Sequence, residues 1–214
     1  MKNIDSDYII FRYDTYLTKN IFNPSRQFIL NHFVDSQVFY DRKLEKKYDL
    51  LFYGNNLSVS YPFRNRLLKI FRENKRKFNI KLIEFSRRKR DKKTLIHGNE
   101  LAKLINQSWI TISTKSVSNF LLQRYYEVGL SKSVICGDFP DLEKDIEIKN
   151  NMILIDNSMN DNKILDIIQN NLKDKKNLKE LSEKTHNHFV NNYTFNHGLI
   201  EFDKIFTKII NENK

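Results

Sequence analysis

The sequence predicts an α/β fold, a Rossmann-like parallel sheet with helices on both faces. Three observations carry this expectation. Short apolar or β-branched runs, at residues 49–54, 80–85, 109–113, 132–137 and 152–156, alternate with longer stretches whose apolar residues recur at helical spacing. The most compact run, Leu50-Leu51-Phe52-Tyr53, is apolar throughout and ends at Gly54, as expected of a strand covered on both faces that feeds a loop. The order strand, helix, strand recurs along the chain, which is the connectivity of parallel crossover units.

Taken in order, residues 8–12 read as a short strand, and Phe22-Asn23-Pro24 interrupts any regular element after it. Residues 28–47 run from a mixed stretch into a charged series and read as a connector. After the strand at 49–54 and the loop 55–60, Pro62 suits the first turn of a helix ending near Lys77, with Phe63, Leu67, Leu68, Ile70 and Phe71 inward. A strand at 80–85 leads to the basic cluster Arg87-Arg88-Lys89-Arg90, then a short edge strand at 94–97 and a helix over 100–107. The strand 109–113 passes through a polar turn, 114–118, into a helix over 119–130. Strands at 132–137 and 152–156 come next. Ser158 or Asn160 can cap a helix over 163–172, Asn177 one over 178–191, and a last helix covers 197–210.

The chain of 214 residues is long enough for one large domain, and 40% hydrophobic with 13% aromatic residues supports a buried core rather than disorder. The net charge of +11 is either a solvated basic surface or an attraction for anions. Cys136 is the single cysteine, so no intramolecular disulfide forms, and a reducing, cytoplasmic location is the expectation. It sits in the apolar run Val134-Ile135-Cys136, which suits a buried, inert thiol. No apolar run approaches the roughly 18 residues that cross a bilayer, and the polar, acidic start does not read as a signal peptide. No P-loop, dinucleotide glycine fingerprint or nucleophile elbow is present, which excludes the common routes to triphosphate hydrolysis and serine hydrolase chemistry. The histidines His32, His97, His186, His188 and His197 lack metal-ligand spacing, so no metal is expected.

In parallel α/β sheets ligands bind beyond the carboxyl ends of the strands. That rule points to the loops at 55–64, 86–90, 97–99, 114–118 and 137–141. Arg124 and Glu127 lie one turn apart on the helix after Thr114 and share a face. The pair is either a surface ion pair or a site in which the carboxylate accepts both hydroxyls of a ribose and the guanidinium meets a phosphate. Ser113, Thr114 and Ser116 offer hydroxyls and backbone N–H groups near a helix start, for an anion or for ordinary turn formation. His97 remains a site candidate through its loop.

Four stretches together resemble the carboxyl-terminal domain of group 1 glycosyltransferases of the GT-B fold, most closely the spore-maturation-protein-like branch. They are Leu104-Ile105-Asn106-Gln107-Ser108-Trp109-Ile110-Thr111-Ile112-Ser113, Arg124-Tyr125-Tyr126-Glu127, Met152-Ile153-Leu154-Ile155-Asp156 and Tyr193-Thr194-Phe195. Tyr48 to Gly54 with Tyr61-Pro62-Phe63-Arg64 resembles the start of the same domain, and residues 28–39 resemble the hinge before it. The resemblance implies a nucleotide-diphosphate sugar as donor substrate, with no further cofactor, and transfer of its sugar to an acceptor of unknown kind: glycan, lipid or protein. It implies that Glu127 binds the donor ribose, that Arg124 is its neighbour, and that Arg64 meets the diphosphate. It also implies an amino-terminal domain of similar size. Here residues 1–47 read as a remnant of that domain plus the hinge and residues 48–214 as the nucleotide-sugar-binding domain, so a partner chain supplying the missing half is a corresponding expectation. The chain departs from the family at Leu130-Ser131-Lys132, where a small residue and glycine are usual. Two other classes stay open: a basic nucleic-acid-binding module, and a non-catalytic nucleotide-sugar-binding scaffold.

Overall fold

The computed structural model describes residues 8–11, 26–55, 59–85, 96–117, 119–141 and 143–212. The chain opens with β1 (Ile9–Phe11) and β2 (Gln27–Ile29), then β3 (Tyr48–Asn55), α1 (Pro62–Glu73), β4 (Ile80–Phe85), α2 (Gly98–Asn106), β5 (Ser108–Ile112), α3 (Gln123–Leu130) and β6 (Val134–Gly137). It closes with α4 (Ile146–Asn150), β7 (Ile153–Leu154), α5 (Asp161–Lys173), α6 (Lys175–Asn192) and α7 (Phe195–Glu212). Strands β3 to β7 form one sheet in the order β4-β3-β5-β6-β7, every pair parallel. The predicted α/β class therefore holds.

Side-chain alternation along β3 divides the core. Leu50 and Phe52 face a cluster with Leu67, Leu68 and Phe71 of α1 and Ile164, Leu165 and Ile168 of α5. Leu51 and Tyr53 face the opposite cluster, with Leu101 and Ile105 of α2, Tyr125 and Val128 of α3, and Phe189 of α6. Strand β6 repeats the division, Val134 and Cys136 to one side and Ile135 to the other. A period of two that buries both faces is what helices on both sides of a parallel sheet demand. Cys136 is fully buried, and burial pushes its thiol far above the usual range, as the inert-thiol reading requires.

Several expectations need correction. The connector predicted over 28–47 begins with a strand, because residues 27–29 pair in parallel with residues 9–11, a non-local contact with no local signal. The helix expected over 119–130 starts at Gln123: Asn119 takes a left-handed φ of 58°, which no helix continues. The first sheet helix stops at Glu73 rather than near Lys77. Residues 96–97 are not in a strand, and 94–95, like Arg87–Arg90, lie outside the described residues. Helix α4, unpredicted, is capped by Asp145, whose side chain accepts from Glu147 N. Asn160 caps α5, as expected, but α6 is capped by Asp174 and not Asn177, which instead donates its N–H to that carboxylate.

The connector is tied to the amino ends of the strands by Lys46, whose Nζ donates to the carbonyls of Asn106, Ser108 and Lys132 at 2.8, 2.9 and 2.8 Å. Helix α7 leaves the sheet and presents Phe195, Leu199, Phe202, Phe206 and Ile210 to solvent, from 43% exposed at Phe202 to 67% at Leu199. These residues recur at helical spacing and form one apolar stripe. Among the described residues no helix is long and apolar enough to cross a membrane.

Candidate functional site

The chain runs from β3 to its neighbour β4, then back past β3 to β5 on the other side. That reversal is the switch point at which open parallel sheets leave a crevice beyond the strand ends. Helix α1, the helix after β3, and α3, the helix after β5, begin beside it. Each carries an arginine in its first turn and neither has an acidic residue there.

Arg64 follows Pro62 and Phe63 at the start of α1 and is 2% exposed. Its Nε donates to Thr114 Oγ1 at 2.9 Å and its Nη2 to the Thr114 carbonyl at 3.0 Å, and the guanidinium lies 4.0 Å over the Tyr61 ring. Arg124, 8% exposed, lies 4.4 Å over the ring of Tyr53 at the end of β3. Its Nε and Nη1 are buried without a hydrogen-bond partner. The two arginines repel each other: burial first, then the charge of Arg124, lowers Arg64 to about 9. Gly54 makes room for this arrangement. Its φ is +113°, and a Cβ there would stand 1.8 Å from Arg124 Nη2.

Glu127 is the acidic member. Tyr53 Oη donates to its Oε2 at 2.8 Å and Gln123 Nε2 to its Oε1 at 3.1 Å. Burial raises its pKa, while the Tyr53 hydrogen bond and the Arg124 charge pull it back toward the carboxylate.

The floor is the β5–β6 exit. Ser113 and Thr114 are fully buried, and Ser113 Oγ is without a hydrogen-bond partner. The single hydrogen of Tyr125 Oη lies between the carbonyls of Asp138 at 2.5 Å and Ser113 at 3.1 Å, and Asp138 Oδ1 accepts from Lys115 N at 2.9 Å. Burial raises Asp138 to about 6. Gly137 lies so close that a Cβ would fall 1.6 Å from the Ser113 carbonyl oxygen.

The structure thus brings Arg64, Thr114, Ser113, Arg124 and Glu127 to one end of the sheet. Ser116 sits further along the same loop, its carbonyl accepting from Asn119 N, and His97 is exposed at the N-cap of α2. The sequence reading missed Tyr53 and Asp138. A tyrosine directly before the strand-ending glycine was the available signal for the first. For the second it was an aspartate directly after Gly137. Among the described residues no group of three His, Cys, Asp or Glu could hold a metal ion.

No family sequence model matches the chain, and no curated protein matches it by sequence. Solved structures match its fold. Sucrose-phosphate synthase from Thermosynechococcus elongatus is 10% identical with a TM-score of 0.68, covering 97% of this chain and 59% of its own. TarM is 16% identical with a TM-score of 0.63, covering 94% of this chain and 43% of its own; an S. aureus TarM mutant is solved with UDP. The carboxyl-terminal domain of the group 1 glycosyltransferase LpcC from Francisella tularensis is 16% identical with a TM-score of 0.52, covering 75% of this chain and 98% of its own. The fold is that of GT-B carboxyl-terminal domains. The chain spans about half the length of the two larger proteins.

Proposed function

We propose that this chain is the donor-binding part of a glycosyltransferase that takes its sugar from a nucleotide-diphosphate sugar. One observation carries the reading: Arg124, buried with two nitrogens unsatisfied, beside a second buried arginine at the switch point of the sheet. The two buried like charges are offset in part by Glu127 beside Arg124 and by Asp138 near Arg64, and a bound diphosphate would add counter-charge and acceptors for both. In this reading Arg124 and Arg64 take the diphosphate and stabilise charge on the leaving group, and Glu127 accepts the ribose hydroxyls. Ser113, Thr114 and Ser116 line the anion's approach, and His97 stands on the neighbouring loop.

In the same reading residues 28–47 act as the hinge and 48–214 as the donor domain, affiliated with the spore-maturation-protein-like branch and working in the cytoplasm. A partner chain docks on this domain. Support for the partner comes from the exposed apolar stripe of α7 and the groove of about 380 Å³ that Phe195, Leu199 and Phe202 form with Leu30 and Phe33.

A thermal-shift titration with UDP, GDP, dTDP and their sugar conjugates tests the reading on wild type and Glu127→Ala. A ligand at 100 times its dissociation constant stabilises by about 2.7 kcal/mol. A shift with one nucleotide that shrinks in Glu127→Ala supports the proposal. No shift with any, together with salt-sensitive binding to nucleic acid, favours the basic-module class instead.

A further inference from the structure

We infer that Tyr53 is the positioning residue of this site, fixing the ribose-binding carboxylate with its hydroxyl and the diphosphate-binding guanidinium with its ring. The inference rests on the donor-site reading and deepens it by naming what confers preference for a ribonucleotide.

Three observations converge on this side chain. Tyr53 is 3% exposed at the carboxyl end of β3, so its ring is immobilised by the sheet on one side and α3 on the other. Its hydroxyl donates to Glu127 Oε2 at 2.8 Å while Gln123 holds Oε1 at 3.1 Å. Each carboxylate oxygen therefore keeps a lone pair for an incoming hydroxyl, and the plane of the group is set before any ligand arrives. The face of the same ring carries the Arg124 guanidinium at 4.4 Å, and that contact occupies the π surface without using any of its N–H donors. Arg124 is thus held in place with its Nε and Nη1 donors left over. Burial and the adjacent Glu127 push the Tyr53 ionisation well above its ordinary range, so the phenol remains a donor at any physiological pH.

The two halves of the residue have separable roles. Tyr53→Phe keeps the ring and deletes the hydroxyl, which releases Glu127 alone. Tyr53→Leu deletes both and also removes the platform under Arg124. A tyrosine that merely filled the core would show neither division.

The test measures dissociation constants by calorimetry for UDP and GDP, their 2′-deoxy forms and inorganic pyrophosphate. For Tyr53→Phe the preference for the ribonucleotide over its 2′-deoxy form falls by about tenfold, and pyrophosphate affinity stays within about twofold of wild type. Tyr53→Leu weakens pyrophosphate as well, by about tenfold. In a Glu127→Gln background, Tyr53→Phe has no further effect on the ribose preference, which keeps the inference testable should the leucine variant fail to fold. An unchanged ribose preference in Tyr53→Phe overturns it, as does an equal loss for pyrophosphate and UDP, while the donor-site reading survives both. Wild-type protein that binds none of these ligands removes the donor-site reading itself.

Discussion

The guanidinium of Arg124 occupies the space in which residue 54 would carry a side chain, with Nη2 1.8 Å from the position of a Cβ on Gly54. Gly54, next to the end of β3, and the helix-borne arginine are therefore one device. Residue 54 must have no side chain so that the guanidinium can sit 4.4 Å over the Tyr53 ring.

Gly54→Ala should accordingly do two things. The left-handed φ of +113° costs an L-residue about 1–2 kcal/mol, and the methyl drives Arg124 off the Tyr53 ring. Chemical denaturation should show a loss of at least that size, and calorimetry with UDP or GDP a larger proportional loss of binding. A variant that binds as wild type contradicts the coupling.

Gly137→Ala separates packing from conformation. No positive φ is involved, but the added carbon would lie 1.6 Å from the Ser113 carbonyl, backbone that cannot move without parting β5 from β6. The expected destabilisation is about 4 kcal/mol or more, in the exceptional range for one substitution. A loss of about 1 kcal/mol by urea titration speaks against this account of the β5–β6 junction.

Asp138, raised by burial to about 6 from an ordinary 3.8, makes one distinct contribution to the pH dependence of stability. A group whose folded pKa is raised favours the fold while it is protonated. Its contribution is present below about pH 3.8 and is lost as pH rises through about 6, a change on the order of 2–3 kcal/mol. Asp138→Asn should remove this fall, so wild type and variant stability curves converge at low pH and separate toward neutrality, with the variant the more stable. Parallel curves from pH 4 to 7 contradict it.

At α6 the cap is Asp174. Asp174→Ala should cost about 1 kcal/mol, and Asn177→Ala a few tenths at most, since Asn177 contributes only its backbone N–H. Equal effects of the two substitutions would restore Asn177 as the cap.

How much of this was legible in the sequence depends on the range of the contact involved. Strands β3, β5 and β6 announced themselves because burial on both faces imposes compact apolar runs, the edge strand β4 was legible from its mixed run Ile80 to Phe85, and β7 fell within its predicted window although only Ile153–Leu154 pair. Strand β2 was hidden because its partner lies at residues 9–11, and the late start of α3 because Asn119 takes a left-handed turn. The common face of Arg124 and Glu127 could be read from their spacing. That both converge on Tyr53 could not, since it depends on how far α3 stands from the end of β3. Nor could the burial of Arg124, a charge that any sequence pattern assigns to the surface.

The central claim is that Arg124 is kept for an anion and not for the fold. The most direct measurement combines the stability of Arg124→Gln with its affinity for the nucleoside diphosphate that wild type binds. The account predicts stability equal to or above wild type, because a buried guanidinium with two unsatisfied nitrogens has been removed, with a loss of affinity of about 100-fold or more. A variant that is clearly less stable yet binds the nucleotide as well as wild type would contradict it.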